Sequence, residues 1–569
     1  MRINFKKSLT TETVLYGAAF LLALALRLAG LGLKPLDDAE AVWALQAFRL
    51  SQGDSALIGA EPLLVVWNAV LFFFTGASPF WARLIPALFV SSLVLLAPAL
   101  KQSIGKLPAL LAAFFIAVDP GFIAGARQAG GWPIALFGCA SALLFLIRRQ
   151  YSWAGLSLAL AILGGQNAWL VGMIVGVTFL WEKVFPGNED VESTAEIQPV
   201  RLLAWLVGTL LVLGSGFFFL PQGISAIGSA IAGFFSSWTE PASVSVSQLL
   251  AAVISGAPVW LVFGLWEMVR GLRKRDSFTS LCARFLFISL LVLMIYPGRA
   301  ALHASLITLP LLILSARWFA AFLSRQEESA AVMVGLSLLN LALILFVFYN
   351  LWRILIGQPG FGENAYLVRW LSAAGGLALI LLIALLIAWG WSETLAPTAA
   401  LGGLLLGLFL FQVSAAWSAT GLGRRPQAEI WWSDAWIQDA QLVQQTINDL
   451  SLWNTGEANK LEVVVIDVQS PALEWLLSDQ EFRVVEKLAA AEQPDIVITR
   501  DQDSLGLAAA YTGQDFVWEN QPAWRLMMPL EWLEWMVSRD APQEKIPLVL
   551  WARSDLLPGN DGDTAQAAP

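Results

Sequence analysis

The sequence is short of the residues that build metal sites and covalent cross-links. Its 569 residues include one histidine and two cysteines. A four-ligand zinc site of the usual His/Cys kind cannot be assembled from that set. Cys139 and Cys282 each sit inside an apolar run, which argues against a disulfide scaffold. Charge is also scarce, at 14% of residues, where soluble domains carry about 25%. The net charge of −9 opposes phosphate backbones and argues against a nucleic-acid partner. What the chain has instead is apolar mass: 57% hydrophobic residues, 33 Phe and 27 Trp, with a mean hydropathy of +0.66. These values exclude a soluble enzyme and a disordered chain, and make the lipid bilayer the first partner.

The charge is unevenly spread. Residues 424–569 hold 10 basic and 24 acidic side chains, a net of −14, and the rest of the chain is +5. Apolar runs fill the first 417 residues and stop before Gly421–Pro426. This pattern divides the chain into a membrane domain (1–420), a soluble α/β domain (424–557) and a polar end (558–569) expected to be disordered.

Apolar windows give 13 candidate spans: 13–33, 80–100, 107–123, 133–147, 153–164, 167–181, 202–220, 248–266, 283–297, 303–322, 330–350, 371–391 and 398–417. Several are shorter than the roughly 20 residues a straight span needs, so tilted or broken helices are expected. The basic marks Arg2, Lys6, Lys7, Lys101, Lys106, Arg148, Arg149, Arg270, Arg273, Lys274, Arg275, Arg284 and Arg325 fall on one side if 62–76 lies at the interface and 153–181 crosses twice. The positive-inside rule then puts the N-terminus inside and the C-terminal domain outside. The first apolar run has no small-residue cleavage site and reads as a retained anchor. Trp residues at span ends, such as Trp81, Trp132, Trp318 and Trp417, fit the headgroup layer.

Just past the first span, Asp37, Asp38 and Glu40 place three carboxylates within four residues, ahead of a short amphipathic stretch, Ala41–Leu50. In a helix, Asp37 and Glu40 share a face. Spacing alone leaves two readings open: a solvated or helix-capping acidic loop, or a general base at the outer membrane surface. The second suits transfer of a group from a lipid-borne phosphate, because the base takes the acceptor proton while a cation stabilises the leaving phosphate. Arg83, Arg127, Arg299 and His303 are the cations expected on that side. Each also has a structural reading, snorkelling for the arginines and a buried hydrogen bond for the lone histidine.

Four segments in order resemble the GT-C superfamily of integral-membrane glycosyltransferases, in the group of the protein O-mannosyltransferases and lipid A aminoarabinose transferases. They are Arg27-Leu28 through Pro35-Leu36 to Glu40-Ala41; Glu61-Pro62-Leu63 with Ser78–Leu88; Asp119-Pro120 with Arg127; and Arg299 with His303 and Pro310. They cover about residues 1–325. The resemblance implies transfer of a sugar from a polyprenyl-phosphate donor to a hydroxyl acceptor on a protein, lipid or glycan at the outer face of the cytoplasmic membrane. It implies Asp38 and Glu40 as base and partner with Asp37 in reserve, and Arg127, Arg299 and His303 on the donor phosphate. It names no certain cofactor and leaves any need for a divalent cation open. The family's adjacent Asp-Glu pair is altered: Ala39 precedes Glu40. Gln166 and Asn167 stand where the family has Lys or His. Two alternatives follow, a non-catalytic GT-C-like binding protein and a lipid-linked-glycan flippase. The second lacks a visible inverted repeat.

The C-terminal part shows strand-like runs at 461–468, 482–488, 494–499 and 548–551, and helical patterns at 434–450 and 470–479. A Ser-Pro start directly after a strand suggests a β-α-β unit at 461–488. No dinucleotide fingerprint, P-loop or nucleophile elbow is present.

Overall fold

The computed structural model describes residues 10–54, 58–184, 198–324, 330–360, 362, 364–390, 395–432, 434–500, 502 and 504–557. The basic N-terminus, most of the acidic linker at 182–201, Arg325 and the polar end lie outside the described residues.

The chain is a multi-span helical membrane protein with a C-terminal mixed-sheet domain. Among the described residues, seven helices are long and apolar enough to cross a bilayer: Thr11–Leu28, Pro79–Ile104, Ser277–Ile295, Ala301–Leu323, Val332–Leu355, Ala365–Gly390 and Ala399–Leu422. Two bent pairs bring the number to nine, Lys106–Val118 with Pro120–Ala126 (52°) and Val246–Gly256 with Pro258–Arg273 (88°). Each bend falls directly before a proline, whose ring disfavours helix in the preceding residue. Asp119 and Ala257 occupy those junctions. Four shorter apolar helices complete the set: Pro62–Thr75, Trp132–Ile147, Tyr151–Leu163 and Pro199–Gly214. The count from hydropathy alone was thirteen because short runs pass a hydrophobicity window without the length to span by themselves.

Close helix packing rests on small residues, as expected where lipid supplies no hydrophobic drive between helices. A Cβ on Gly138 would meet the Ala161 backbone, and one on Gly264 the Leu311 backbone.

The C-terminal sheet has six strands, β1 (Trp436–Ile437), β2 (Val463–Ile466), β3 (Phe482–Val485), β4 (Ile496–Thr499), β5 (Tyr511–Pro522) and β6 (Gln543–Arg553), in the order β1-β5-β6-β4-β2-β3. β2 pairs in parallel with β3 and β4, and the other pairings are antiparallel. Helix Pro471–Leu476 joins β2 to β3 as a β-α-β unit, starting at the N-cap Ser470. Val463, Val465, Ile496, Ile498, Phe516, Leu548 and Leu550 build its core. That core is continuous with Leu36, Ala41, Ala44 and Ala47 of the segment after the first helix and with Val65 and Phe72 of the next helix. The sheet domain therefore packs directly on the segment that carries the acidic residues.

Candidate functional site

Helix Asp38–Ser51 begins with a capping box: Asp37 Oδ1 accepts from the Glu40 amide at 3.0 Å, and the Asp37 amide donates to Glu40 Oε2 at 3.2 Å. This arrangement satisfies two of the helix's orphan amides and buries both carboxylates. Arg83 then clamps Glu40 with two bonds, Nε to Oε1 at 2.7 Å and Nη2 to Oε2 at 2.5 Å. The same guanidinium donates to the carbonyls of Leu31, Lys34 and Pro35, so it fixes the whole turn between the first span and the helix. Ala129 adds an amide to Glu40 Oε1 at 2.8 Å. Lys34 Nζ lies 2.8 Å from Asp37 and 3.7 Å from Glu40, and 3.9 Å above the Trp432 ring. Burial alone would raise the Glu40 carboxyl, but Arg83 and Lys34 outweigh it and hold it at about 2. Burial, with the Glu40 charge adding to it, pushes Asp37 up to about 6.

Arg127 stands behind this cluster. Its Nη1 donates to the carbonyls of Leu26, Arg27 and Ala29 and its Nη2 to Gly30. It thus satisfies the carbonyls left open at the C-terminus of the first helix. Lys34, Arg83 and Arg127 line one small cavity of about 90 Å³, closed by Gly421, Leu422, Trp432 and Trp436. The loop after Arg127 reaches a second carboxyl, Glu61, through the Gly131 amide. Glu61 is 7% exposed, its Oε2 has no hydrogen-bond partner, and burial pushes it up to about 8. A Cβ on Gly131 would land on the Gly164 carbonyl and press on the Glu61 carboxyl. Glycine is therefore required where these two loops meet.

Asp38 points the other way, into the sheet domain. Its Oδ1 accepts from Ser470 Oγ at 2.6 Å and from the Ala472 amide at 2.8 Å, the N-terminus of helix Pro471–Leu476. Ser470 is held in turn by Trp518 Nε1 at 3.1 Å. The exchange is reciprocal: Asp434 Oδ2 accepts from the Ala39 amide at 3.2 Å. Burial raises the Asp434 carboxyl, and the charge of Asp38 adds to the effect. Among the described residues, Asp38 Oδ2 has no hydrogen bond, so this is the one carboxylate of the three with an unoccupied oxygen. Phe48 and Phe72 pack on Trp475, and Arg49 pairs with Glu474, across the same contact.

Of the remaining residues singled out by sequence, His303 is buried against Trp132, with ring centroids 4.8 Å apart. Its Nδ1 accepts from the Ala300 amide, which leaves Nε2–H to donate to Asn167 Oδ1 at 3.0 Å. Both ring nitrogens are occupied. Arg299 donates once, from Nη1 to the Tyr296 carbonyl, and its buried Nε is unpartnered. Of the predicted site residues, Arg127 lines the small cavity; Asp37 and Glu40 are bonded to Lys34 and Arg83, which also line it, and Asp38 is turned to the sheet domain. Among the described residues, no direct bond joins His303 or Arg299 to the cluster. Sequence reasoning missed the roles of Lys34, Glu61, Asp434 and Ser470. Glu61 carried a signal, a carboxylate opening an apolar run. Asp434 and Ser470 carried none, since both lie over 390 positions from the loop they meet. Among the described residues, no three His, Cys, Asp or Glu side chains are grouped to hold a metal ion.

The fold just described, many spans topped by a mixed sheet packed on the loop after the first helix, is similar to that of two solved structures of ArnT, a membrane protein. ArnT from Cupriavidus metallidurans bound to undecaprenyl phosphate superposes with a TM-score of 0.55 at 15% identity, over 95% of this chain and 98% of that one. The apo state of the same protein gives 0.52 at 15% identity, over 94% and 97%. An oligosaccharyltransferase from Archaeoglobus fulgidus gives 0.43 at 13% identity, over 84% and 64%. No protein-family model matches the sequence, and no curated protein matches it.

Proposed function

We propose that this protein is a membrane glycosyltransferase that moves a sugar from a polyprenyl-phosphate donor to a hydroxyl acceptor. The observation that carries this reading is the ArnT fold, shared over nearly the whole of both chains and seen there with undecaprenyl phosphate bound. The residues of the first outer loop support it. Asp38, whose Oδ2 has no hydrogen bond among the described residues, takes the acceptor proton as the hydroxyl oxygen bonds to the anomeric carbon. The bond from that carbon to the phosphate oxygen breaks, and polyprenyl phosphate leaves with the electron pair. Glu40 and Asp37 position the loop rather than exchange protons, because both are committed to Arg83, Lys34 and backbone amides. Lys34, Arg83 and Arg127 give the adjoining cavity a positive field for the leaving phosphate. Arg299, with donors to spare, contacts the phosphate directly, and His303 holds the turn before its helix.

The expected orientation has the loop and the sheet domain outside. Lys101 pairs with Glu12 at the start of the first helix, and Lys106, Arg270 and Lys274 line one surface pocket beside Ile104. These basic marks therefore gather at the end of the bundle away from the loop, as the positive-inside rule asks.

The test uses protein reconstituted in nanodiscs and supplied with an undecaprenyl-phosphate-linked sugar. Turnover is read as undecaprenyl phosphate released. Asp38→Asn is expected to keep undecaprenyl phosphate binding and lose turnover, and unchanged turnover would reject the assignment. A second reading, a lipid-binding protein without turnover, is favoured by Ala39 and by the commitment of Glu40 and Asp37 to structure. Binding of undecaprenyl phosphate by the unaltered protein with no release from any linked sugar would select it.

A further inference from the structure

The sheet domain carries an apolar surface that its own core does not use. Helix Pro529–Ser538 (PLEWLEWMVS) follows the turn Ala523–Met528. On its inner side Trp535 is fully buried and donates from Nε1 to the Ala428 carbonyl at 2.8 Å. Trp524 and Trp532 stack beside it, centroids 5.5 Å apart. Met527 and Trp535 share one apolar cluster with Leu249, Ala252 and Trp431, which ties the helix to the spans rather than to the sheet. Arg525 completes the link by donating to the Ala242 carbonyl at 2.9 Å, just ahead of the bent span.

The outer side is the unusual one. Leu526 is 79% exposed, Met528 and Leu530 66%, and Leu533 50%. Leu530, Leu533 and Val537 recur at helical spacing, so they form one continuous stripe. A soluble domain rarely leaves such a run bare. The stripe belongs to an element already packed on the membrane domain, next to a span whose Leu250 and Ile254 are themselves exposed. Apolar side chains in line with lipid-facing ones, with Trp beside them, are what an interfacial helix presents to the headgroup and acyl boundary.

We propose that residues 526–537 form an interfacial foot by which the sheet domain inserts into the leaflet on its own side of the membrane. The occupant of the stripe is lipid. The domain is then held at two points, by this foot and by the Asp38–Ser470 contact. This inference does not depend on the enzymatic reading, because it follows from exposure and packing alone.

The test places single cysteines at Leu530, Leu533 and, as an aqueous control, the exposed Asp449, each labelled with an environment-sensitive fluorophore in phosphatidylcholine vesicles. The parent protein sets the background from Cys139 and Cys282. At 530 and 533 the emission is expected to shift to the blue, and doxyl-labelled lipid is expected to quench more than aqueous iodide. At 449 the order should reverse. Iodide quenching at 530 and 533 equal to that at 449 would overturn the proposal. So would shielding from both quenchers together with energy transfer between labelled copies, which would make the occupant a second copy of the chain.

Discussion

Replacing Arg83 by methionine tests whether the acidic loop is a structural clamp. Arg83 and Glu40 are 1% and 3% exposed, and removing one partner of such a pair leaves an uncompensated buried charge. That costs about 3–5 kcal/mol. The pKa of Glu40 gives the same scale. Held at about 2 from an ordinary 4.5, the carboxylate contributes on the order of 3 kcal/mol. The sign follows from the depressed value: the contribution is complete above the unfolded pKa and is lost as pH falls toward the folded one. Methionine also strips donors from three loop carbonyls, at about 1 kcal/mol or more each. Arg83→Met should therefore destabilise by at least about 4 kcal/mol. Glu40→Gln, which keeps one acceptor oxygen for Arg83 Nε and the Ala129 amide and loses the other, should cost about half as much. The double variant should be less damaged than the sum, with a coupling of about 1–3 kcal/mol. The assay is a double-mutant cycle by SDS titration in dodecylmaltoside micelles. Additive losses, or an Arg83→Met loss below about 1 kcal/mol, would refute the clamp.

Glu61→Gln should stabilise the protein increasingly as pH rises. The folded carboxyl stays protonated to about 8, whereas the unfolded one ionises near its ordinary value, so the native protein loses stability across that window, by up to on the order of 4 kcal/mol at the alkaline end. Thermal unfolding at pH 5 and pH 8 should show the variant's advantage only at pH 8. Asp38→Ala should weaken the sheet domain's hold by about 1 kcal/mol, the worth of a helix cap. Hydrogen exchange should then rise at Pro471–Leu476, while Asp38→Asn, which keeps an acceptor for Ser470, leaves it unchanged. Gly131→Ala, driven onto the Gly164 carbonyl, should lower the unfolding temperature more than Gly130→Ala, where the added methyl meets open space.

The fold class was legible because hydropathy and charge separate membrane from tail without reference to contacts. The bends were legible from Asp119-Pro120 and Ala257-Pro258 only to a reader who allowed a span to break. The strand Tyr511–Pro522 was missed because its burial alternates only over its second half, the first half facing solvent. The helix Pro529–Ser538 was missed because its apolar residues lie on both sides, one packed and one bare, which blurs the helical period. Glu40 was expected as the partner of the base Asp38, and its clamp by Arg83 was not legible, since spacing does not show that a carboxylate meets an arginine 43 positions away. The loop's chemistry is set by partners it meets only after folding. Arg83 takes Glu40, Lys34 takes Asp37, and Ser470 orients Asp38. Of three carboxylates within four residues, one oxygen, Oδ2 of Asp38, has no hydrogen bond among the described residues. On this reading the domain is part of the site, and a chain lacking it would keep its spans but present Asp38 without the two bonds that aim it.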